Sequence, residues 1–144
     1  MLTLLRTLLA PSPPRLAEPD ARLALAALLV RVARSDGNYA STEIARIDRI
    51  LMQRHALTSS LAADLRAQAE AVEAEAPDTV RFTRALKAAV PLEDRTALVE
   101  ALWSVALADG ARDSDEDRLL RLVSNLLGLT DVESAQARQR VQNS

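Results

Sequence analysis

The stretch that decides the fold is LVEALWSVALADGARDSDEDRLLRLVSNLLGLT, residues 98–130. It reads as a helix apolar on nearly every side (Leu98, Val99, Leu102, Trp103, Val105, Leu107), a turn at Asp109-Gly110, and an amphipathic helix with Leu119, Leu120, Val123, Leu126 and Leu127 on one stripe. Gly128 stands where a glycine after the last turn ends a helix. Thr130-x-x-Glu133 has capping-box spacing for the start of another.

The same pattern occurs earlier in the chain. Residues 24–43, ALAALLVRVARSDGNYASTE, slide onto 97–116 with nine identities in twenty, at Ala24, Leu25, Leu29, Val32, Ala33, Asp36, Gly37, Ser41 and Glu43. Ile47 and Ile50 then meet Leu120 and Val123, and Leu57-Thr58 meets Leu129-Thr130. Composition bias produces Ala and Leu matches, but not Asp-Gly and Glu together at one offset. The expected fold is all-α: a single compact bundle of about seven or eight helices built from two pseudo-symmetric repeats, about 20–58 and 93–131. The all-apolar helices near 20–35 and 92–108 form its central pair. Helices near 58–75, striped by Leu61, Leu65, Ala69 and Val72, and near 78–90, striped by Phe82 and Leu86, fill the interval between repeats.

Composition agrees. The chain has 144 residues, of which 27 are Ala and 25 Leu, with only three glycines, three aromatics and no cysteine. Such a mixture favours helices over strands. Without cysteine there are no disulfides, thiolate zinc sites or cysteine nucleophiles, and a single histidine, His55, leaves no multi-histidine metal site. His55 reads as a helix C-terminal residue interacting with the dipole. The net charge of −2, with 17 of the 18 cations being arginine spread along the helices, is not a nucleic-acid footprint. Pairs such as Glu43 with Arg46 are expected on polar helix faces. Tyr39, in the first turn, is a position where a partner could make contact. With no glycine-rich phosphate loop and no nucleophile beside a base, no enzymatic activity is expected.

Residues 1–19 are expected to form a short N-terminal helix, MLTLLRTLLA, and a Pro-rich linker from Pro11 to Pro14. The main domain is expected over 20–144. The apolar run is too short to span a bilayer. It reads as an amphipathic element docking on the domain, with a peripheral membrane or partner contact as the sharper alternative. A cytoplasmic location is expected.

The chemistry concentrates in the two Asp-Gly turns. Asp-Gly-x5-Glu matches the second half of a calcium-binding EF-hand loop, but the first half is absent: Val105 and Leu107, or Val32 and Arg34, occupy the leading ligand positions. What remains is a short loop with carboxylates at both ends. In the second repeat Asp109, Asp113, Asp115, Glu116 and Asp117 face a single Arg112, a local charge of −4. Hard cations of the Ca²⁺ or Mg²⁺ class take oxygen ligands of this kind. Capping explains Asp113 and Glu116 without any ion, yet five carboxylates in nine residues repel one another. The first repeat keeps Asp36, Asn38, Ser41 and Glu43, but has Ala40 and Thr42 where the second has Asp113 and Asp115. Any ion there is expected to bind more weakly.

The duplicated A-x-x-D-G-x5-E, the segment LVEALWSVALADG (98–110) and RFTRAL (81–86) resemble the TerB-like tellurite-resistance family over residues 20–140. The resemblance implies an all-helical fold of about seven core helices, no known enzymatic activity, a stress-response role, and an acidic surface site for metal. That site carries over to Asp36 and Glu43, and to Asp109, Asp113 and Glu116. Ala40 departs from the acidic cap of many relatives. Tellurite is an anion, so a loop of charge −4 repels it; a cation or a basic partner is the more reasonable ligand. A related domain fused to a DnaJ-type cochaperone implies the alternative of a metal-free interaction module, recruiting a protein partner through the acidic surface or the N-terminal helix.

Overall fold

The computed structural model describes residues 20–76, 78–110 and 113–144. The expectations for residues 1–19 fall outside that set. Seven α-helices and one 3₁₀ turn make up the described chain, with no strand among these residues. They are α1 (Ala21–Arg34), α2 (Ser41–His55), α3 (Ser59–Glu75), α4 (Val80–Ala89), the 3₁₀ turn Leu92–Asp94, α5 (Arg95–Ala106), α6 (Ser114–Leu126) and α7 (Asp131–Gln142). The architecture is an all-α bundle. No helix among the described residues is long and apolar enough to cross a membrane.

Helix α1 is the centre of the bundle and packs on α2, α3, α4, α5 and α6. Residues 24–30, together with Val32 and Ala33, are fully buried, as an all-round apolar helix requires. Its alanines permit close approach of the neighbours, and α3 presents Ala62 and Ala69 to the core. Leu61, expected on the buried stripe of α3, is instead 52 % exposed. Thr58 caps this helix through a bond to the Leu61 amide at 3.2 Å, so Leu61 sits in the first turn, beyond the packed face. The second central helix begins at Arg95, not near 92, because Pro91 leads into a 3₁₀ turn first.

Both repeats of the sequence pattern take the same local form. Each all-apolar helix ends at a glycine with positive φ, Gly37 at 81° and Gly110 at 79°. Each is followed by an amphipathic helix carrying a glutamate at its third position, Glu43 in α2 and Glu116 in α6. Gly128, with φ of 91°, closes α6: the Leu129 amide returns to the Ser124 carbonyl at 2.9 Å and the Gly128 amide to Asn125 at 3.0 Å. Thr130 and Glu133 then complete the capping box of α7.

The arginines do more than coat polar faces. Arg31 donates to the Glu73 and Ala76 carbonyls at the end of α3, at 3.1 and 2.8 Å, and Arg34 to the Glu70 carbonyl one turn earlier at 3.2 Å. Arg95 reaches Lys87, Val90 and Leu127 and so ties the ends of α4 and α6 together. A permanently charged planar fork suits this role, since several carbonyls accept from one side chain in a favourable dipole field. Glu43 and Arg46 do not pair as expected: Arg46 donates to the Ser104 hydroxyl at 2.8 Å across to α5.

Candidate metal centre

Two helix N-termini meet at one place. Glu43 is the third residue of α2, and its Oε1 accepts from the Ala40 amide at 2.9 Å. Ala40 has no side chain with which to cap, so the glutamate supplies a polar contact at this helix start. In α6 the cap is Asp113, whose Oδ1 accepts from the Asp115 and Glu116 amides at 2.8 and 3.2 Å. Asp36 ends the turn after α1, with its own Oδ1 held by the Asn38 amide at 2.8 Å. One carboxylate oxygen from each of Asp36, Glu43 and Glu116 lies within 4.8 Å of the other two.

The pattern of burial is unusual for acids. Glu43 is fully buried and Glu116 is 2 % exposed. The Oε2 of each is buried with no hydrogen-bond partner. Burial pushes both carboxyls above their ordinary range. For Glu43 the Ala40 amide opposes the rise, while Asp36 and Asp109 add to it. Glu116 is pushed up to about 8, by burial first and then by Asp36, Glu43, Asp109 and Asp113. The positive ends of α2 and α6 favour negative charge here, but they do not satisfy the two orphaned oxygens.

The two repeats meet here: one carboxylate oxygen from each of Asp36 and Glu43, in the first repeat, lies beside one from Glu116 of the second. Asp109 and Asp113 lie near enough to bear on the Glu116 charge, with Asp109 exposed at the turn. Asp115 is placed apart from the cluster; its side chain is 63 % exposed and faces Arg118 at 3.9 Å. Asp117 lies beside Trp103, Arg121 and Arg138.

The geometry suits a hard cation. Oxygens that sit about 2.4 Å from a central ion are at most about 4.8 Å apart, and three carboxylates leave positions for water or backbone oxygen. The remaining singled-out residues are structural. Trp103 is buried and its Nε1 donates to the Ser134 hydroxyl at 3.2 Å, which is linked to Ser124 at 2.9 Å. Phe82 is fully buried in the core. Tyr39, considered above as a partner contact, is half-buried and donates its hydroxyl to Glu70 at 2.7 Å. His55 does end α2 and is half-buried.

Fold and cluster together define an all-helical protein with a buried acidic centre shared by two helix N-termini. Residues 22–139 match the family profile described as tellurite resistance protein TerB, and the chain belongs to that family. No curated protein and no solved structure matches it significantly.

Proposed function

We propose that this protein is a non-catalytic helical module that binds one divalent cation at Asp36, Glu43 and Glu116 as part of a tellurite or metal stress response. The observation that carries the reading is the pair of buried, unpartnered Oε2 atoms of Glu43 and Glu116 beside Asp36. Buried carboxylate oxygens without donors are costly, and like charges at this separation add to the cost. A cation removes both penalties at once. Asp109 and Asp113 contribute field at the mouth of the site, which favours entry of a cation and disfavours an oxyanion such as tellurite.

The test is thermal melting with Ca²⁺, Mg²⁺, Mn²⁺ and Zn²⁺ titrated separately above pH 8, where Glu116 is ionised. The expected result is a rise in Tm with at least one ion that grows with the logarithm of its concentration above Kd, about 2.7 kcal/mol at a hundredfold excess, lost in Asp36→Asn/Glu116→Gln. No shift at millimolar concentrations of any of the four, or an undiminished shift in the double variant, overturns the reading. A turnover abolished by Glu116→Gln would overturn its non-catalytic part.

A further inference from the structure

Half of the acidic cluster rests on a short loop. Six residues, 35–40, join α1 to α2, and Gly37 and Asn38 are exposed at its turn. Two amides of this loop orient carboxylates of the cluster. Asn38 donates to Asp36 Oδ1 at 2.8 Å, and Ala40 donates to Glu43 Oε1 at 2.9 Å. Tyr39 stands between them, so a displacement of Tyr39 displaces both amides. A glycine turn open to solvent does not hold such a loop by itself.

Tyr39 is fastened at its face and at its tip. The Arg34 guanidinium lies over the ring at 5.0 Å, and the side chain packs against the core. The hydroxyl donates to Glu70 Oε2 of α3 at 2.7 Å. The same oxygen accepts from Arg66 Nη1 at 3.1 Å, and Arg66 Nε donates to Asp48 Oδ1 of α2 at 2.6 Å. The path therefore runs from the loop to α3 and from α3 back to α2, the helix that carries Glu43. Its bonds are charge-assisted, which makes them short and directional. Burial, and then the Glu70 carboxylate, hold the phenol above its usual range, so it remains a donor in the alkaline solutions where cation binding is measured.

We propose that Tyr39 is a positioning residue for the cation site: through Glu70 and Arg66 it holds the 35–40 loop in register with α2 and so sets Asp36 against Glu43. This rests on the cation reading above, although the hold on the loop is measurable without metal. Tyr39 and Glu70 are outside the ligand set of Asp36, Glu43 and Glu116. Their effect is preorganisation: a loop already ordered does not have to be ordered by the ion. Arg66 still holds Glu70 when the phenol is removed, so the fold survives the change.

The test uses the full chain. Tyr39→Phe removes the hydroxyl and keeps the ring, Glu70→Ala removes its acceptor, and Glu70→Gln keeps an acceptor oxygen. With a chelator present, amide exchange by NMR at Ala40 should be at least fivefold faster in Tyr39→Phe and Glu70→Ala, and native-like in Glu70→Gln. Calorimetric titration with Ca²⁺, Mg²⁺, Mn²⁺ and Zn²⁺ should show about tenfold weaker binding in the first two variants, with near-native binding in Glu70→Gln. Tyr39→Phe/Glu70→Ala should lose no more than either single change, since both break one bond. Thr130→Ala, which removes the cap of α7, controls for lost stability and should leave the affinity unchanged. Native-like exchange at Ala40 in Tyr39→Phe overturns the proposal. Faster exchange with native affinity makes Tyr39 a structural tie and overturns it too. A native protein that binds none of the four ions overturns the cation reading, and this one with it.

Discussion

Replacing Glu116 by glutamine should stabilise the metal-free protein in alkaline solution and leave it nearly unchanged in acid. The amide has the shape of the protonated carboxyl and carries no charge. In the native protein Glu116 titrates near 8 against an ordinary value of 4.5. Because the folded value lies above the unfolded one, the folded state holds a proton that the unfolded chain has already released. Stability is therefore greatest below about 4.5, falls as pH rises between those values, and levels off above about 8. Burial is the largest cause of that rise, and the neighbouring carboxylates Asp36 and Glu43 add to it; the repulsion sets a lower bound on the size. Glu43 and Glu116 oxygens lie within 4.8 Å, which at an effective dielectric of about 20 gives a repulsion of about 3 kcal/mol once both are charged. For a chain of this length that is about 10 °C in Tm. The assay is thermal melting by circular dichroism with a chelator present, at pH 4 and pH 9, for the native protein and Glu116→Gln. The variant should melt about 10 °C higher at pH 9 and within a degree or two at pH 4, with an intermediate gain at pH 6. Equal effects at both pH values, or destabilisation at pH 9, would refute the idea that a buried carboxylate pair is held together against its own charge.

Further outcomes are expected from the same structure. If cation binding displaces the Glu116 proton, affinity by titration calorimetry should rise with pH up to about 8 and then level, with protons released to the buffer below that value. Gly128→Ala should cost more than Gly37→Ala in denaturant melts. Both need positive φ, but a Cβ at Gly128 would also meet Leu92 Cδ1 at 3.1 Å, whereas nothing lies within 4 Å at Gly37. Thr130→Ala removes the cap of α7 and should lower stability by about 1 kcal/mol, without altering metal response. Trp103→Phe should cost about 1–2 kcal/mol, because it leaves the buried Ser124–Ser134 pair without its indole donor; an unchanged midpoint would show that the pair satisfies itself.

The helices were legible because their punctuation is local. Gly37, Gly110 and Gly128 mark three backbone positions with left-handed geometry, and all three adopt it in the structure; Ala56, which ends α2 in the same geometry, carries no such signal. Thr130 and Asp113 were readable as caps for the same reason, since capping depends on residues three apart in sequence. The buried faces of α1 and α5 followed from all-round apolarity, while Leu61 misled because an apolar residue in a first turn can lie outside the packed stripe. The arginine contacts with Glu73, Ala76 and Leu127 were not legible, because they join residues 32 to 45 positions apart and any polar-face arginine looks alike in sequence.

The acidic centre shows most plainly where local reading stops. Five carboxylates between Asp109 and Asp117 suggested that the second turn binds an ion more strongly than the first. Consecutive residues in a helix's first turn, however, point about 100° apart, so Asp115, Glu116 and Asp117 cannot share one focus. Only Glu116 turns inward, and its partners come from the other repeat, Asp36 and Glu43. The residue type that mattered was the glutamate at the third helical position, present in both copies, and not the local charge density. A capping role alone needs a single exposed acid at such a position, as Glu133 supplies in α7, where the carboxyl is held below its usual range by Thr130. Glu43 and Glu116 occupy the same helical position with their carboxyls pushed upward and an oxygen of each left buried without a donor. The contrast within one chain separates a glutamate that completes a helix end from two whose burial capping does not explain.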